Sequence, residues 1–258
     1  MVTIDLSGTT GLVFGVANHR SLAWAIADQL SQAGSRLAFG YQGERLKDSV
    51  EKLAAPLPGS LLVECDVTDD AALEKAFAEV GREFGTLDYL VHSVAFARKE
   101  DLEGDFRNTS RDGYRMALEI SAYSLLPMAR LAAPLMEGRN ASIVALTYMA
   151  SQRVIPNYNV MGSAKAALEH SVRQLAYELG PMNIRVNAIS AGAVNTLSAR
   201  GISGFTGMLG QTRDKAPLRR NIVAEEVGKA ALFLLSDLGS GVTGETLYVD
   251  AGYHIMGL

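Results

Sequence analysis

Tyr158 and Lys165 are the residues of this chain whose types and spacing most suggest chemistry. They lie seven positions apart in the run Tyr158-Asn159-Val160-Met161-Gly162-Ser163-Ala164-Lys165. Seven positions are about two helical turns, so both side chains leave one face of a helix. A phenol is a poor acid at neutral pH, and a nearby ammonium favours the phenolate and eases the sharing of a proton or of charge. The same ammonium can grip a ribose hydroxyl. Asn157, immediately before the tyrosine, is a suitable residue type for capping such a helix. A half-buried tyrosine beside a solvated lysine would show the same spacing, so the surrounding elements must decide.

Those elements alternate. Strand-like runs at 10–16, 36–41, 61–66, 89–93, 141–147, 185–190 and 245–250 are separated by helical periodicities at 22–32, 45–53, 71–84, 114–135, 157–179 and 224–235. Most strand runs are continuously apolar, as expected when both sheet faces are covered. The β-α-β order implies a single doubly wound parallel sheet of about seven strands with helices on both faces. Ligands of such sheets bind at the C-terminal strand edge, where the tyrosine–lysine pair falls after the fifth strand. Only 195–220 breaks the rhythm. It is Gly-rich, reads as irregular, and is long enough to be a mobile substrate-covering loop. No linker or repeat splits the chain, so residues 1–258 are expected to be one domain.

The first turn, Gly11-Leu12-Val13-Phe14-Gly15-Val16-Ala17 followed by Ser21-Leu22-Ala23, reads as strand, tight turn and helix start. Gly15 permits the turn, Ser21 is a candidate N-cap, and the amides near Ser21 and Leu22 would face a pyrophosphate. It does not match G-x-G-x-x-G, and an ordinary βα turn would look similar. At the end of the second strand, Gln42 replaces the usual ribose-binding acid. It can bond a ribose hydroxyl, while Arg45 is opposed by Glu44, which favours NADH over NADPH. Asp66 and Val67, after the third strand, are placed to meet an adenine or simply to cap the next helix.

Together these residues resemble the short-chain dehydrogenase/reductase superfamily, and in detail its enoyl-acyl-carrier-protein reductase branch. The resemblance covers essentially the whole chain. It is carried by Arg153-Val154-Ile155-Pro156-Asn157-Tyr158-Asn159-Val160-Met161-Gly162, by His92-Ser93-Val94-Ala95-Phe96-Ala97 and by Asn187-Ala188-Ile189-Ser190-Ala191-Gly192. Carbonyl-reducing members tend to carry a serine thirteen positions before the tyrosine; here that residue is Ala145. The branch's second tyrosine is matched by Tyr148. The resemblance implies a Rossmann-type fold and NADH-dependent reduction of the double bond of trans-2-enoyl thioesters carried on acyl carrier protein. It implies Tyr158, Lys165 and Tyr148 as catalytic residues. Gly15, Ser21, Leu22, Gln42, Asp66, Val67, Val94, Lys165, Val194, Thr196, Leu197 and Ser198 would line the dinucleotide. Ala97, Tyr148, Tyr158, Met161, Ile202 and Phe205 would line the acyl chain. A homotetramer is implied, with helices 114–135 and 157–179 at one two-fold axis and the apolar segment 253–258 suited to a second interface. A carbonyl or alcohol dehydrogenase and a catalytically inactive dinucleotide-binding regulator are the alternatives.

Bulk composition excludes other classes. With 48% apolar and 20% charged residues the chain can bury a large core, and no run approaches the roughly 20 apolar residues of a membrane span. A net charge of −4 gives no electrostatic case for nucleic acid. Met1-Val2-Thr3-Ile4-Asp5 lacks the basic-then-apolar order of a signal peptide, and the single cysteine, Cys65, suits a reducing compartment, so a cytoplasmic protein is expected. The four histidines, His19, His92, His170 and His254, have no ligand-like spacing, and no metal is expected.

Overall fold

The computed structural model describes residues 4–196, 199 and 203–257. Strands β1 (Thr10–Phe14), β2 (Arg36–Tyr41), β3 (Leu61–Glu64), β4 (Tyr89–His92), β5 (Ser142–Thr147), β6 (Arg185–Ala191) and β7 (Thr246–Val249) form one sheet in the order β3-β2-β1-β4-β5-β6-β7. Every neighbouring pair is parallel. Every residue of the central strands β5 and β6 is buried, which is why their sequences do not alternate.

Two core layers cover the sheet. On one face, Phe77 and Val80 of α3 (Asp70–Phe84), Leu125 and Met128 of α6 (Leu125–Met136) and Leu168 and Val172 of α7 (Asn159–Leu179) pack together. On the other, Ile26 and Leu30 of α1 (Leu22–Gln32), Val50 of α2 (Gly43–Ala54) and Val227 and Leu234 of α9 (Ala224–Leu235) do so. A short helix α4 (Lys99–Leu102), then α5 (Arg111–Leu118), follows β4, and α8 (Phe205–Lys215) precedes α9. The buried Arg185 guanidinium donates to the carbonyls of Leu234, Leu235 and Ser236, closing the C-terminal end of α9. The neighbours of β1 are β2 on one side and β4 on the other, so the chain direction of winding reverses there. That reversal opens a crevice at the C-terminal strand ends.

Three expectations are corrected. The 114–135 periodicity is two helices joined by a π segment, Glu119–Tyr123, in which the Ser124 amide reaches back five residues to the Glu119 carbonyl at 3.1 Å. The extra residue turns the Ser121 hydroxyl inward, where it accepts the Phe96 amide at 3.0 Å. The 195–220 stretch is not irregular throughout, because it contains α8. Phe205 and Thr212, seven positions apart on one side, are buried, and Arg213 and Lys215 suit the negative helix end. This outweighs the helix cost of Gly207 and Gly210. Lastly, α7 begins at Asn159, and Asn157 does not cap it. Asn157 has φ 60° and closes a turn with Pro156.

Gly15 is demanded by the β1–α1 turn: its φ is +99°, and a Cβ there would lie 2.1 Å from the Ser93 carbonyl oxygen. Gly15→Ala is therefore expected to cost at least about 2 kcal/mol of stability through backbone strain and overlap. Equilibrium denaturation checks this, and an unchanged midpoint would show that the β4 end can retreat freely.

Candidate active site

A cavity of about 490 Å³ occupies the crevice. On one side it is lined by Gly15, Ser21 and Leu22 from the first turn. Ser21 occupies the N-cap position of α1 but does not cap it. Its hydroxyl instead accepts the amides of Ala17 and Asn18, each at 3.0 Å, and so shapes the preceding loop. Helices α3 and α5 are capped by Asp69 and Ser110 in the ordinary way. The positive end of α1 thus meets the cavity without a side-chain acceptor, the arrangement that suits a phosphate.

Further along the same strand edge, the Gln42 side-chain amide donates to Asp66 Oδ2 at 2.7 Å. Burial acts to raise the Asp66 pKa, but bonds from the Thr68 amide and hydroxyl and from Gln42 prevail and hold the carboxyl below its ordinary range. An ionised carboxylate therefore sits beside Gln42. Glu44 pairs with Lys47 at 3.5 Å. Val67 and Val94 pack against the core face that carries α3, α6 and α7. None of Gln42, Asp66, Val67 and Val94 lines the cavity itself.

Lys165 enters the cavity floor from α7 and is only 5% exposed. Its ammonium donates to the Leu146 carbonyl, near the end of β5, at 2.8 Å. Burial lowers its pKa to about 8, while the Glu169 carboxylate one turn along opposes the fall. Glu169 is itself buried and accepts the Thr147 hydroxyl at 2.8 Å. Nearby, His92 is fully buried, with Nε2 2.8 Å from the Ser124 hydroxyl. That hydroxyl donates to the Ile120 carbonyl at 2.7 Å, so the histidine is the donor of the pair. Burial, then the Lys165 charge, depresses the His92 pKa to about 3, so the ring is neutral and structural.

Tyr158 and Tyr148 face each other edge-on, ring centres 5.1 Å apart. Burial, then Tyr148 beside it, pushes the Tyr158 phenol well above its ordinary range. The expected drift toward phenolate under the lysine charge is absent. Tyr158 is a neutral hydrogen-bond donor. Burial also raises Tyr148, to about 12, and its hydroxyl donates to Met208 Sδ at 3.6 Å.

The apolar part of the lining comes from Ala97 and Leu102 after β4, Met161 on α7, and Phe205 and Met208 on α8. Val194 and Thr196 complete the rim. Of the residues singled out from sequence, Gly15, Ser21, Leu22, Ala97, Tyr148, Tyr158, Met161, Lys165, Val194, Thr196 and Phe205 converge here. Leu197, Ser198 and Ile202 lie outside the described residues. Sequence reasoning missed Glu169 and Thr147, although Lys165 and Glu169 at i and i+4 on a helix are a readable signal. Ala145 is fully buried in the core, so no hydroxyl stands at that strand position. Among the described residues no helix is long and apolar enough to cross a membrane, and no cluster of metal-ligating side chains occurs.

Residues 15–254 match the family model described as Enoyl-(Acyl carrier protein) reductase. The chain is 52% identical over 255 residues to enoyl-[acyl-carrier-protein] reductase [NADH] FabI of Bacillus cereus, covering 98% of this chain and 99% of that one. It is 47% identical to the FabI of Staphylococcus aureus, which is named as [NADPH], covering 97% and 98%. The crystal structure of the NADH enzyme of Aquifex aeolicus superposes with a TM-score of 0.95 at 45% identity, covering 98% and 99%. The match spans the nucleotide turn, the tyrosine–lysine floor and the α8 wall alike, and the chain belongs to the enoyl-(acyl carrier protein) reductase family.

Proposed function

We propose that the protein reduces the 2,3 double bond of trans-2-enoyl thioesters carried on acyl carrier protein, the last step of a fatty-acid elongation cycle, and that NADH is its preferred reductant. The observation that carries this reading is that the neutral Tyr158 hydroxyl and the buried Lys165 amine line one apolar-walled cavity. The residues fit a dinucleotide: the uncapped end of α1 suits the pyrophosphate, and Lys165 suits a ribose hydroxyl. When bound, the reduced nicotinamide supplies the hydride for the β-carbon of the enoyl group.

Tyr158 donates a hydrogen bond to the thioester oxygen and stabilises the charge that collects there in the transition state. Its high pKa keeps the proton in place, so it acts by hydrogen bonding, and the proton that completes the reduction at the α-carbon comes from water. Tyr148 packs edge-on against it and orients the thioester. Lys165 would hold the cofactor's ribose, with its amine aimed by the Leu146 carbonyl and its charge favoured by Glu169. Met161, Phe205 and Met208 exclude water from the acyl path.

The NADH preference rests on the ionised Asp66 beside Gln42, which repels a 2′-phosphate. Arg45 is the opposing group, and family members named for NADH and for NADPH both occur. A spectrophotometric assay with crotonyl thioester should show turnover, with higher kcat/KM for NADH. Turnover of acetoacetyl thioester in its place would make the protein a carbonyl reductase, and nucleotide binding with no turnover would make it a regulator. Better efficiency with NADPH would reverse the cofactor assignment alone.

A cytoplasmic setting belongs to the same reading, supported by the lone thiol Cys65, whose pKa burial pushes up to about 12. So does a homotetramer. Tyr114, Tyr123, Leu126 and Tyr177 leave aromatic and apolar surface on α5, the π segment, α6 and α7, and Ile255 and Met256 do so near the C-terminal end. Sedimentation equilibrium at micromolar concentration should give four times 27.6 kDa; a monomer mass would defeat this part.

Three variants separate the roles at the cavity floor. Tyr158→Phe should lower kcat roughly a hundredfold, on the order of 3 kcal/mol, and leave NADH affinity intact. Lys165→Ala should weaken NADH binding as well as turnover, and Tyr148→Phe should be the mildest. Because the Lys165 pKa is depressed, its charge in the free enzyme is present below about 8 and lost above it. NADH affinity should therefore fall as pH rises through that value, and the dependence should vanish in Lys165→Ala. A flat profile between pH 7 and 9.5, or greatest damage from Tyr148→Phe, would overturn the assignment.

A further inference from the structure

Asn157 stands between the tyrosine and the outer wall of the cavity, and two of its features are independent of each other. The first is its backbone. Pro156 and Asn157 are the central residues of a turn closed by the Tyr158 amide on the Ile155 carbonyl at 3.2 Å. Asn157 has φ 60°, the left-handed region that asparagine and aspartate tolerate better than most other non-glycine residues. Proline followed by a residue of positive φ is the signature of a tight reversal. The residue that leaves this reversal is Tyr158, whose own carbonyl then accepts the Met161 amide at 2.9 Å to start α7.

The second feature is the side chain. Asn157 Nδ2 donates to the Ser203 carbonyl at 3.0 Å, one residue before the Gly204 cap of α8. Ser203 is held a second time, its hydroxyl donating to the Glu103 carboxylate. Glu103 belongs to the segment that carries Leu102 into the cavity, and Asn159 Nδ2 fixes that segment through the Gly104 carbonyl at 3.0 Å. Three walls of one cavity therefore meet at Ser203.

We propose that Asn157 is a positioning residue that sets the Tyr158 hydroxyl and the α8 wall together, its left-handed backbone aiming the tyrosine and its amide anchoring Ser203 so that Phe205 and Met208 cover the acyl path. The inference rests on the enoyl-reductase reading for Tyr158, but the brace itself is a property of the free protein. It ties substrate affinity and chemistry to one residue that lines neither the nucleotide turn nor the cavity.

The two tasks come apart by substitution. Asn157→Gly and Asn157→Asp keep the left-handed backbone and lose the donor; Asn157→Ala loses both. With a trans-2-dodecenoyl thioester, the Gly and Asp variants should raise KM fivefold or more with kcat within twofold of the parent. Trypsin should cut the free Gly and Asp variants at Arg213 and Lys215 at least fivefold faster than the parent. Asn157→Ala should in addition lose tenfold or more in kcat, and NADH affinity should be unchanged in all three. Unaltered KM and cleavage in the Gly and Asp variants would overturn the anchoring role. Equal kcat in the Ala and Gly variants would overturn the aiming role. If the parent protein reduces no enoyl thioester, the functional reading fails, and the cleavage rates still decide the brace.

Discussion

An ammonium kept inside the molecule organises the site. Lys165 is almost wholly buried, and a charge in such surroundings persists only with good partners. Leu146 supplies a carbonyl from the end of β5, and Glu169 supplies a carboxylate from the next turn of α7. Thr147 fixes Glu169 in turn. Two consecutive strand residues and two helix residues one turn apart are thereby locked in register. Tyr148 follows directly after that strand and Tyr158 directly before that helix, so the same constraint brings the two rings to 5.1 Å. The depressed pKa of the amine is the residual cost of holding it there.

The side of the cavity formed by the first turn obeys a different rule, that of a polar group left open. Helices α3 and α5 have their starts satisfied locally by Asp69 and Ser110. At α1 the serine that could cap the helix is turned to the loop before it. The cost of an open helix end is tolerable where a ligand's phosphate supplies the missing acceptor. Gly15 lets the β4 end come close enough to narrow the crevice, and the π segment holds Phe96 against it through Ser121. Relatives named for NADH and for NADPH match at similar identity, so the fold alone does not set the reductant.

The apolar side of the cavity is assembled from parts distant in sequence. Leu102, Met161, Phe205 and Met208 share one cavity although three separate segments contribute them. Met208 gives the Tyr148 hydroxyl a weak sulfur acceptor, which leaves that hydroxyl available for a stronger one. A polar floor and an apolar cover result, with Tyr158 at their boundary.

Much of this was legible in the residues alone. Continuous apolar runs identified buried parallel strands, and the helices 22–32 and 224–235 were bounded correctly because their apolar faces begin and end cleanly. Tyr158 and Lys165 were found because helical spacing is a local property. Gly15 was found because a tight turn restricts residue type locally. What the sequence could not settle depended on distant partners. The π segment forms where Ser121 meets Phe96, and α8 forms in a glycine-rich stretch because Phe205 has a cavity to cover. Asn157 was expected to cap a helix; the carbonyl of Ser203, 46 residues away, gives its amide another use. The lysine was expected to lower the tyrosine pKa, yet burial and the neighbouring Tyr148 phenol raise it. Local spacing fixes which side chains share a face, whereas burial and hydrogen-bond partners, which set their chemistry, exist only once the chain has folded.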